Sequence, residues 1–356
     1  MNLELLGWND YFEEHFKDYL TKGFFAARVV SEQKNNYFVH FEKEIISAVL
    51  AGKFRYKAVL KKDFPAVGDW VVIKLIENNS KAIIYGVLPR KNYFARKLPI
   101  SGGRKIKNGI IVGGSIEEQI IASNIDTAFI VSGLDGNFNI NRIERYITLA
   151  YASGVNPVIL LNKVDICDDI TNYQNRVQEI AKDIPIHPIS VVKNLGMDIF
   201  NQYLLLGKTI VFLGSSGVGK STIINYLLGE EMQKISSVSN SNGKGRHTTT
   251  CKELFLHNSG CMIIDTPGLR ELQLWGSEDA LEDSFQDITN IAVNCKFKDC
   301  THEKEHGCAV IRAIKDGLIT SERFESYKKQ LDELKRLSKI QRQFQINMNR
   351  KMKKKL

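Results

Sequence analysis

The sequence predicts a multidomain chain of α/β and β class. A small N-terminal β-barrel is followed by a mostly parallel α/β sheet and then by a helical domain gathered around a metal. Three observations predict this order. Short β-prone runs separated by polar turns fill Gly23 to about Leu88, strands alternate with helices from Ile116, and three cysteines with a histidine cluster after Asp279. At 356 residues the chain is long enough to bury two or three cores.

The first element is an amphipathic helix, read from Trp8, Tyr11, Phe12, Phe16 and Tyr19 within the opening twenty residues. Six β-prone runs follow: Phe24–Val30, Tyr37–Phe41, Ile45–Leu50, Phe54–Leu60, Trp70–Ile76 and Ala82–Leu88. Five or six short strands in so few residues suit a closed barrel, and an OB-fold fits best. Within the fourth run, Phe54, Arg55, Tyr56 and Lys57 alternate aromatic and basic. In a strand this alternation would place stacking on one face and charge on the other. A Gly-rich basic linker is expected from Ser101 to Gly109.

The α/β region reads as strand Thr127–Val131, helix Ile140–Gly154, strand Pro157–Leu161, helix Tyr173–Lys182 and strand Ile186–Ile189. Strand Thr209–Leu213, a helix through Thr222–Leu228 and strand Cys261–Ile264 complete it. Beyond Asp279 the chain is helical and charged. From Tyr327 to Leu356, eleven Lys or Arg stand against Asp332 and Glu333, so this tail holds a charge of +9, equal to the formal net charge of the whole chain. A concentrated cationic tail suits a polyanion such as nucleic acid. The start lacks a secretory pattern and no apolar run approaches the ~18 residues of a membrane span, so a cytoplasmic protein with no membrane partner is expected. Six cysteines in such a chain, three of them clustered at Cys295, Cys300 and Cys308 and three scattered, do not suggest a disulfide framework.

Gly214, Ser215, Ser216, Gly217, Val218, Gly219, Lys220 and Ser221 satisfy GxxxxGK[ST] between a strand and a helix that Thr222 continues. Such a loop turns backbone N–H groups toward phosphate oxygens. Lys220 would neutralise the β and γ charges and Ser221 would ligate Mg²⁺. Asn162, Lys163, Val164 and Asp165 form NKxD at the end of an earlier strand. The Asp165 carboxylate can accept from guanine N1–H and N2, a donor pair adenine lacks, while Lys163 lies along the base and Asn162 braces the loops. Ser190, after the next strand, occupies the place of a second base-contacting loop. Asp265 with Thr266, Pro267 and Gly268 supplies a strand-end carboxylate for Mg²⁺ and an amide near the γ-phosphate. The base reader precedes the phosphate loop, the reverse of the ordinary order, so the domain reads as a circularly permuted P-loop GTPase.

The segment Gly243–Thr250 suits a first switch loop, with Thr249 reaching Mg²⁺ and Thr248 or Thr250 as alternatives of register. Leu269 stands where many GTPases carry a water-orienting Gln, and His247 is the nearest substitute. Cys295, Cys300, His302 and Cys308 offer three thiolates and an imidazole within fourteen residues, the donor set of a closed structural Zn²⁺ site; His306 is an alternative imidazole. The domains are accordingly a helical extension over 1–22, the OB-fold over 23–110, the permuted GTPase over 111–278 and a zinc-knuckle helical domain with basic tail over 279–356.

With these motifs in line, the chain resembles the small-ribosomal-subunit-dependent, circularly permuted GTPase family from about Gly23 to Gly317. The segments Val67-Gly68-Asp69-Trp70, Leu88-Pro89-Arg90, Gly245-Arg246-His247-Thr248-Thr249 and Asp265-Thr266-Pro267-Gly268-Leu269-Arg270 carry the likeness. The resemblance implies hydrolysis of GTP to GDP and phosphate, stimulated by the 30S subunit late in its maturation, and contact with 16S rRNA. A monomer is expected. A GTP-dependent RNA-binding switch or chaperone for another RNA or protein is the competing reading.

Overall fold

The computed structural model describes residues 3–33, 36–58, 60–76, 80–98, 105–107, 110–112, 117–238, 252–265 and 278–353. They belong to two compact units. One comprises Met1–Phe138, Val155–Gln174 and Ile184–Gln273, the other Asn139–Gly154, Asn175–Asp183 and Leu274–Leu356.

The first unit begins with helix α1 (Asp10–Leu20), capped by the Asn9 side chain, which accepts from the Tyr11 N–H. Phe12 and Phe16, one helical turn apart, are buried, and Trp8 meets Trp70 edge-on with ring centroids 4.7 Å apart. The aromatic stretch is thus the amphipathic helix its spacing predicts, and it packs on the barrel.

Five strands form that barrel: β1 (Phe25–Gln33), β2 (Asn36–Phe41), β3 (Glu44–Leu50), β4 (Trp70–Ile76) and β5 (Lys81–Val87). Their order is β1-β2-β3-β5-β4, and a β1–β4 pairing closes it. Alternate residues such as Val29, Val39, Ile46, Ala48, Val71, Ile73 and Ile84 fill the inside. The run Phe54–Leu60 is not a strand. Helix α2 (Gly52–Lys57) occupies it, with no buried side chain. β3 already pairs with β5 and β1 with β4, so the barrel closes without a strand from this run. The aromatic–basic alternation therefore marks an exposed helix, not two strand faces.

β6 (Tyr93–Leu98) pairs antiparallel with β9 (Glu117–Ser123), and between them β7 (Lys105–Lys107) pairs with β8 (Ile110–Val112). The expected linker thus contains a strand, β7, which pairs with β8. The Asp69 carboxylate binds this region to the barrel. It accepts both Arg90 Nε and Nη2 at 2.7 Å and the Ser123 hydroxyl at 2.6 Å.

Next in the chain come β10 (Thr127–Gly133), α3 (Ile140–Ala152), β11 (Asn156–Asn162), α4 (Ile170–Ile180), β12 (Ile186–Ile189), β13 (Thr209–Leu213), α5 (Lys220–Val238), β14 (Glu253–Leu256) and β15 (Met262–Asp265). Strands β12-β11-β10-β13-β15 lie parallel in that order and β14 joins β15 antiparallel, the mostly parallel sheet expected. Phe129, Val131, Leu160, Phe212 and Ile263 pack with Ile223 and Ile224 of α5. Ser31 of β1 pairs with Glu253 of β14, so the barrel and this sheet are continuous over eleven strands.

The second unit holds α3, α6 (Glu278–Ser284), α7 (Gln286–Ala292), α8 (Ala309–Lys315) and α9 (Ser321–Lys353). Leu281, Phe285, Ile288, Val310, Ala313 and Leu334 form its core. Arg323 of α9, 8 % exposed, bonds Glu144 of α3 at 2.6 Å and Asp287 of α7 at 2.8 Å. Among the described residues no helix is long and apolar enough to cross a membrane.

Candidate nucleotide and metal sites

Parallel register brings the motifs to one edge of the sheet. Gly133 pairs with Asn162 across β10 and β11, and Val211 pairs with Ile264 across β13 and β15. The C-terminal ends of these strands therefore carry Asn162, Gly214 and Asp265 side by side, the edge at which open α/β sheets take ligands.

The NKxD tetrapeptide and the GxxxxGK[ST] loop touch. Asn162 Nδ2 donates to the Val218 carbonyl at 2.9 Å. Gly219, at φ +101°, has no room for a side chain, because a Cβ there would collide with that same Asn162 amide. Gly214 is equally constrained: at φ +148° its Cβ would lie 2.5 Å from the Val131 carbonyl. Lys163 follows in the left-handed region at φ +70°. Its Nζ pairs with Asp135 Oδ2 at 2.6 Å, and the Leu134 N–H donates to the Asn162 carbonyl at 2.8 Å. The hydrogen bond from Lys163 holds the Asp135 carboxyl below its ordinary range, against a smaller opposing effect of burial. Val164 is buried beneath this turn.

Asp165 is oriented from one side. The Ser190 hydroxyl, on a fully buried residue, donates to its Oδ1 at 2.5 Å and in turn accepts the Lys193 N–H at 3.1 Å. Ser190 thus reaches Asp165 of the NKxD segment, although Val191 departs from the usual sequence after it.

In the phosphate loop, Lys220 Nζ donates to the carbonyls of Gly214 and Ser215 at 2.7 and 2.5 Å. The Ser215 hydroxyl is buried with no partner among the described residues, as a group set to meet a phosphate oxygen would be. Ser216 and Gly217 are exposed at the loop tip, and Ser221 and Thr222 are exposed in the first turn of α5. The arrangement fits a bound polyphosphate in its crowded glycines, its cation and its orphan hydroxyl. Asp265 stands at the end of β15, opposite Glu253 of β14. Burial, then the charge of Asp265, pushes the Glu253 carboxyl up. His247, Thr249 and Gly268 lie outside the described residues.

Sequence reasoning missed Asp135, Asn137 and Glu253. Asn137 Nδ2 donates to the Ser216 carbonyl at 3.3 Å, so the loop after β10 reaches both Lys163 and the phosphate loop. Its only signal was position, a carboxylate two residues beyond a glycine that ends a buried strand.

In the second unit, the ligand atoms of Cys295, Cys300, His302 and Cys308 all lie within 4.8 Å of one another. Cys295 and Cys308 sulfurs are 3.8 Å apart, and His302 Nδ1 is 3.6 and 3.3 Å from them. Two sulfurs at the usual ~2.3 Å from a tetrahedral zinc would stand about 3.7 Å apart, so the cluster fits that ion. The Ala309 and Ile311 N–H groups point at the sulfurs of Cys295 and Cys308, support suited to thiolates. Burial pushes His302 below its ordinary range, which favours the neutral imidazole that a metal binds. His306, the alternative imidazole, stands outside the cluster.

A family model described as RsgA GTPase matches residues 87–275, and one described as 50S ribosome-binding GTPase matches residues 209–349. The second match begins at β13, leaving the NKxD segment ahead of it. The small ribosomal subunit biogenesis GTPase RsgA of Methanosarcina acetivorans is 40% identical over 95% of this chain and 87% of its own length. That of Leptospira interrogans is 46% identical over 75% of this chain and 71% of its own. The crystal structure of YjeQ from Thermotoga maritima covers 87% of this chain and 99% of that one, at TM-score 0.62 and 26% identity. The crystal structure of YloQ, a circularly permuted GTPase, covers 88% and 96% at TM-score 0.59 and 25% identity. This chain belongs to the RsgA GTPase family.

Proposed function

We propose that the protein hydrolyses GTP in the service of small-ribosomal-subunit biogenesis, binding rRNA and leaving when the nucleotide is cleaved. The observation that carries the nucleotide half of this reading is the Asn162–Val218 hydrogen bond, which joins base reader and phosphate loop across their reversed order in the chain. The ribosomal half rests on the related GTPases named for that process, which match nearly the whole chain.

In this reading Asp165 accepts the guanine donors, with Ser190 fixing its orientation and Lys163 flanking the base. Lys220 turns from its own loop carbonyls to the β- and γ-phosphates, and the Ser215 hydroxyl and loop N–H groups donate to the phosphate oxygens. Ser221, Asp265 and Thr249 would hold Mg²⁺, which would neutralise phosphate charge there. Gly268 supplies an amide to the γ-phosphate, and His247 orients the attacking water in place of the Gln that Leu269 replaces. Zinc is structural, because four protein ligands leave it no open position. Helix α2 offers exposed Lys53, Arg55, Tyr56 and Lys57 to RNA, a mixture suited to phosphates and unstacked bases. The basic helix α9 adds a second cationic surface. The protein acts as a cytoplasmic monomer, divided as an extension over 1–22, barrel over 23–110, GTPase over 111–278 and zinc domain over 279–356.

The test is GTP turnover by purified protein alone, with 30S and with 50S subunits. The expected result is stimulation by 30S only. Equal turnover in all three would favour a switch or chaperone acting elsewhere.

A further inference from the structure

We infer that Asp135, on the loop after β10, is a positioning residue for guanine nucleotides that sets Lys163 along the base. This rests on the nucleotide reading above.

Lys163 is a non-glycine residue in the left-handed region at φ +70°, a conformation that needs external support. The loop that follows β10 supplies it from both sides. The Leu134 N–H holds the carbonyl just before Lys163 at 2.8 Å, and the Asp135 carboxylate holds its Nζ at 2.6 Å. Asp135 is itself fixed. Its Oδ1 accepts the Asn137 N–H at 3.0 Å, and a Cβ on Gly133 would approach that oxygen to 3.1 Å, so the glycine leaves the carboxylate its place. Asn137 continues the strap to the Ser216 carbonyl at 3.3 Å. One short loop therefore bonds the backbone of the base reader, its lysine and the phosphate loop.

Lys163 and Asp135 are 30% and 26% exposed, so the pair is partly screened and its worth lies in geometry more than in Coulomb energy. A lysine has four rotatable bonds to freeze when it lies against a base. Asp135 freezes them beforehand, and binding then loses less entropy.

The experiment measures GTP KM, kcat and GDP Kd for the full chain bearing Asp135→Asn, Lys163→Met and both. Asparagine keeps the shape and the turn but loses the charge. We expect Asp135→Asn to raise KM and GDP Kd together by about threefold to tenfold, with the loss falling on binding and not on kcat. The melting midpoint of nucleotide-free protein should match the wild type. In the Lys163→Met background the same change should add almost nothing, because its partner is already gone. No loss of affinity, an equal loss in both backgrounds, or tighter binding by Asp135→Asn would overturn the assignment. Failure of the wild type to prefer guanine over adenine nucleotides would instead sink the reading on which it rests.

Discussion

Arg28, on the first strand of the barrel, donates from Nη2 to the hydroxyl of Thr209 at 2.9 Å, the residue that opens the strand leading into the phosphate loop. Arg28 is 1% exposed, and among the described residues its guanidinium pairs with no carboxylate at hydrogen-bond distance. It binds instead the carbonyls of Leu6, Gly68 and Asn124. Burial lowers its pKa to about 10, against the charges of Asp126 and Asp69. The N-terminal extension, the barrel and β13 thus converge on one side chain.

Arg28→Ala would strand those carbonyls in the interior. We predict a loss of about 3 kcal/mol or more in unfolding free energy by urea denaturation. Arg28→Lys should recover little of it, because one ammonium cannot match the reach of the guanidinium fork. Stability within error of the wild type would show that the junction does not depend on this residue.

The Ser190–Asp165 bond makes a prediction about specificity. Ser190→Ala should weaken GTP and GDP alike by about tenfold, since it removes one hydrogen bond to a carboxylate. Asp165→Asn should cost GTP affinity on the order of a hundredfold or more and raise affinity for xanthosine triphosphate, whose 2-oxo group an amide can donate to. Isothermal titration with GTP, GDP and xanthosine triphosphate measures these changes.

Purified protein should carry one equivalent of zinc by elemental analysis, and Cys300→Ser should lose it. Chelation should then raise hydrogen exchange in α7 and α8, while β13, in the other unit, keeps its protection. Full retention of protection without metal would show that the four ligands close a core that folds alone.

Acid should destabilise the barrel. Burial pushes His40 below its ordinary value, and its Nδ1 has no partner among the described residues. A depressed imidazole pKa means the unfolded chain binds the proton first. Stability is therefore complete above about pH 6.5 and falls as pH drops toward the lowered folded value. His40→Gln should flatten this part of the pH–stability curve. An unchanged slope would assign it to other groups, His187 among them, which burial also lowers.

Much of this was legible in the residues alone because it obeyed local rules. Strand periodicity located the five barrel strands, and Gly214–Ser221 and Asn162–Asp165 each sit at a strand end, where backbone geometry fixes their use. The cysteine spacing foretold the four clustered ligands. Phe54–Leu60 misled because its β-propensity was outweighed by a barrel already closed, a fact about β3, β4 and β5 and not about the run itself. Asp135 and Arg28 escaped for another reason. Their partners stand 28 and up to 234 residues away, and no periodicity records such pairings.

The most direct test titrates the purified chain with fluorescent GDP and ADP derivatives in matched buffers. Convergence of the segments at Asn162, Gly214 and Asp265 on one guanine nucleotide predicts saturable GDP binding, abolished by Asp165→Ala, with ADP bound on the order of a hundredfold more weakly or not at all. Equal affinity for both, or binding that survives Asp165→Ala, would contradict it.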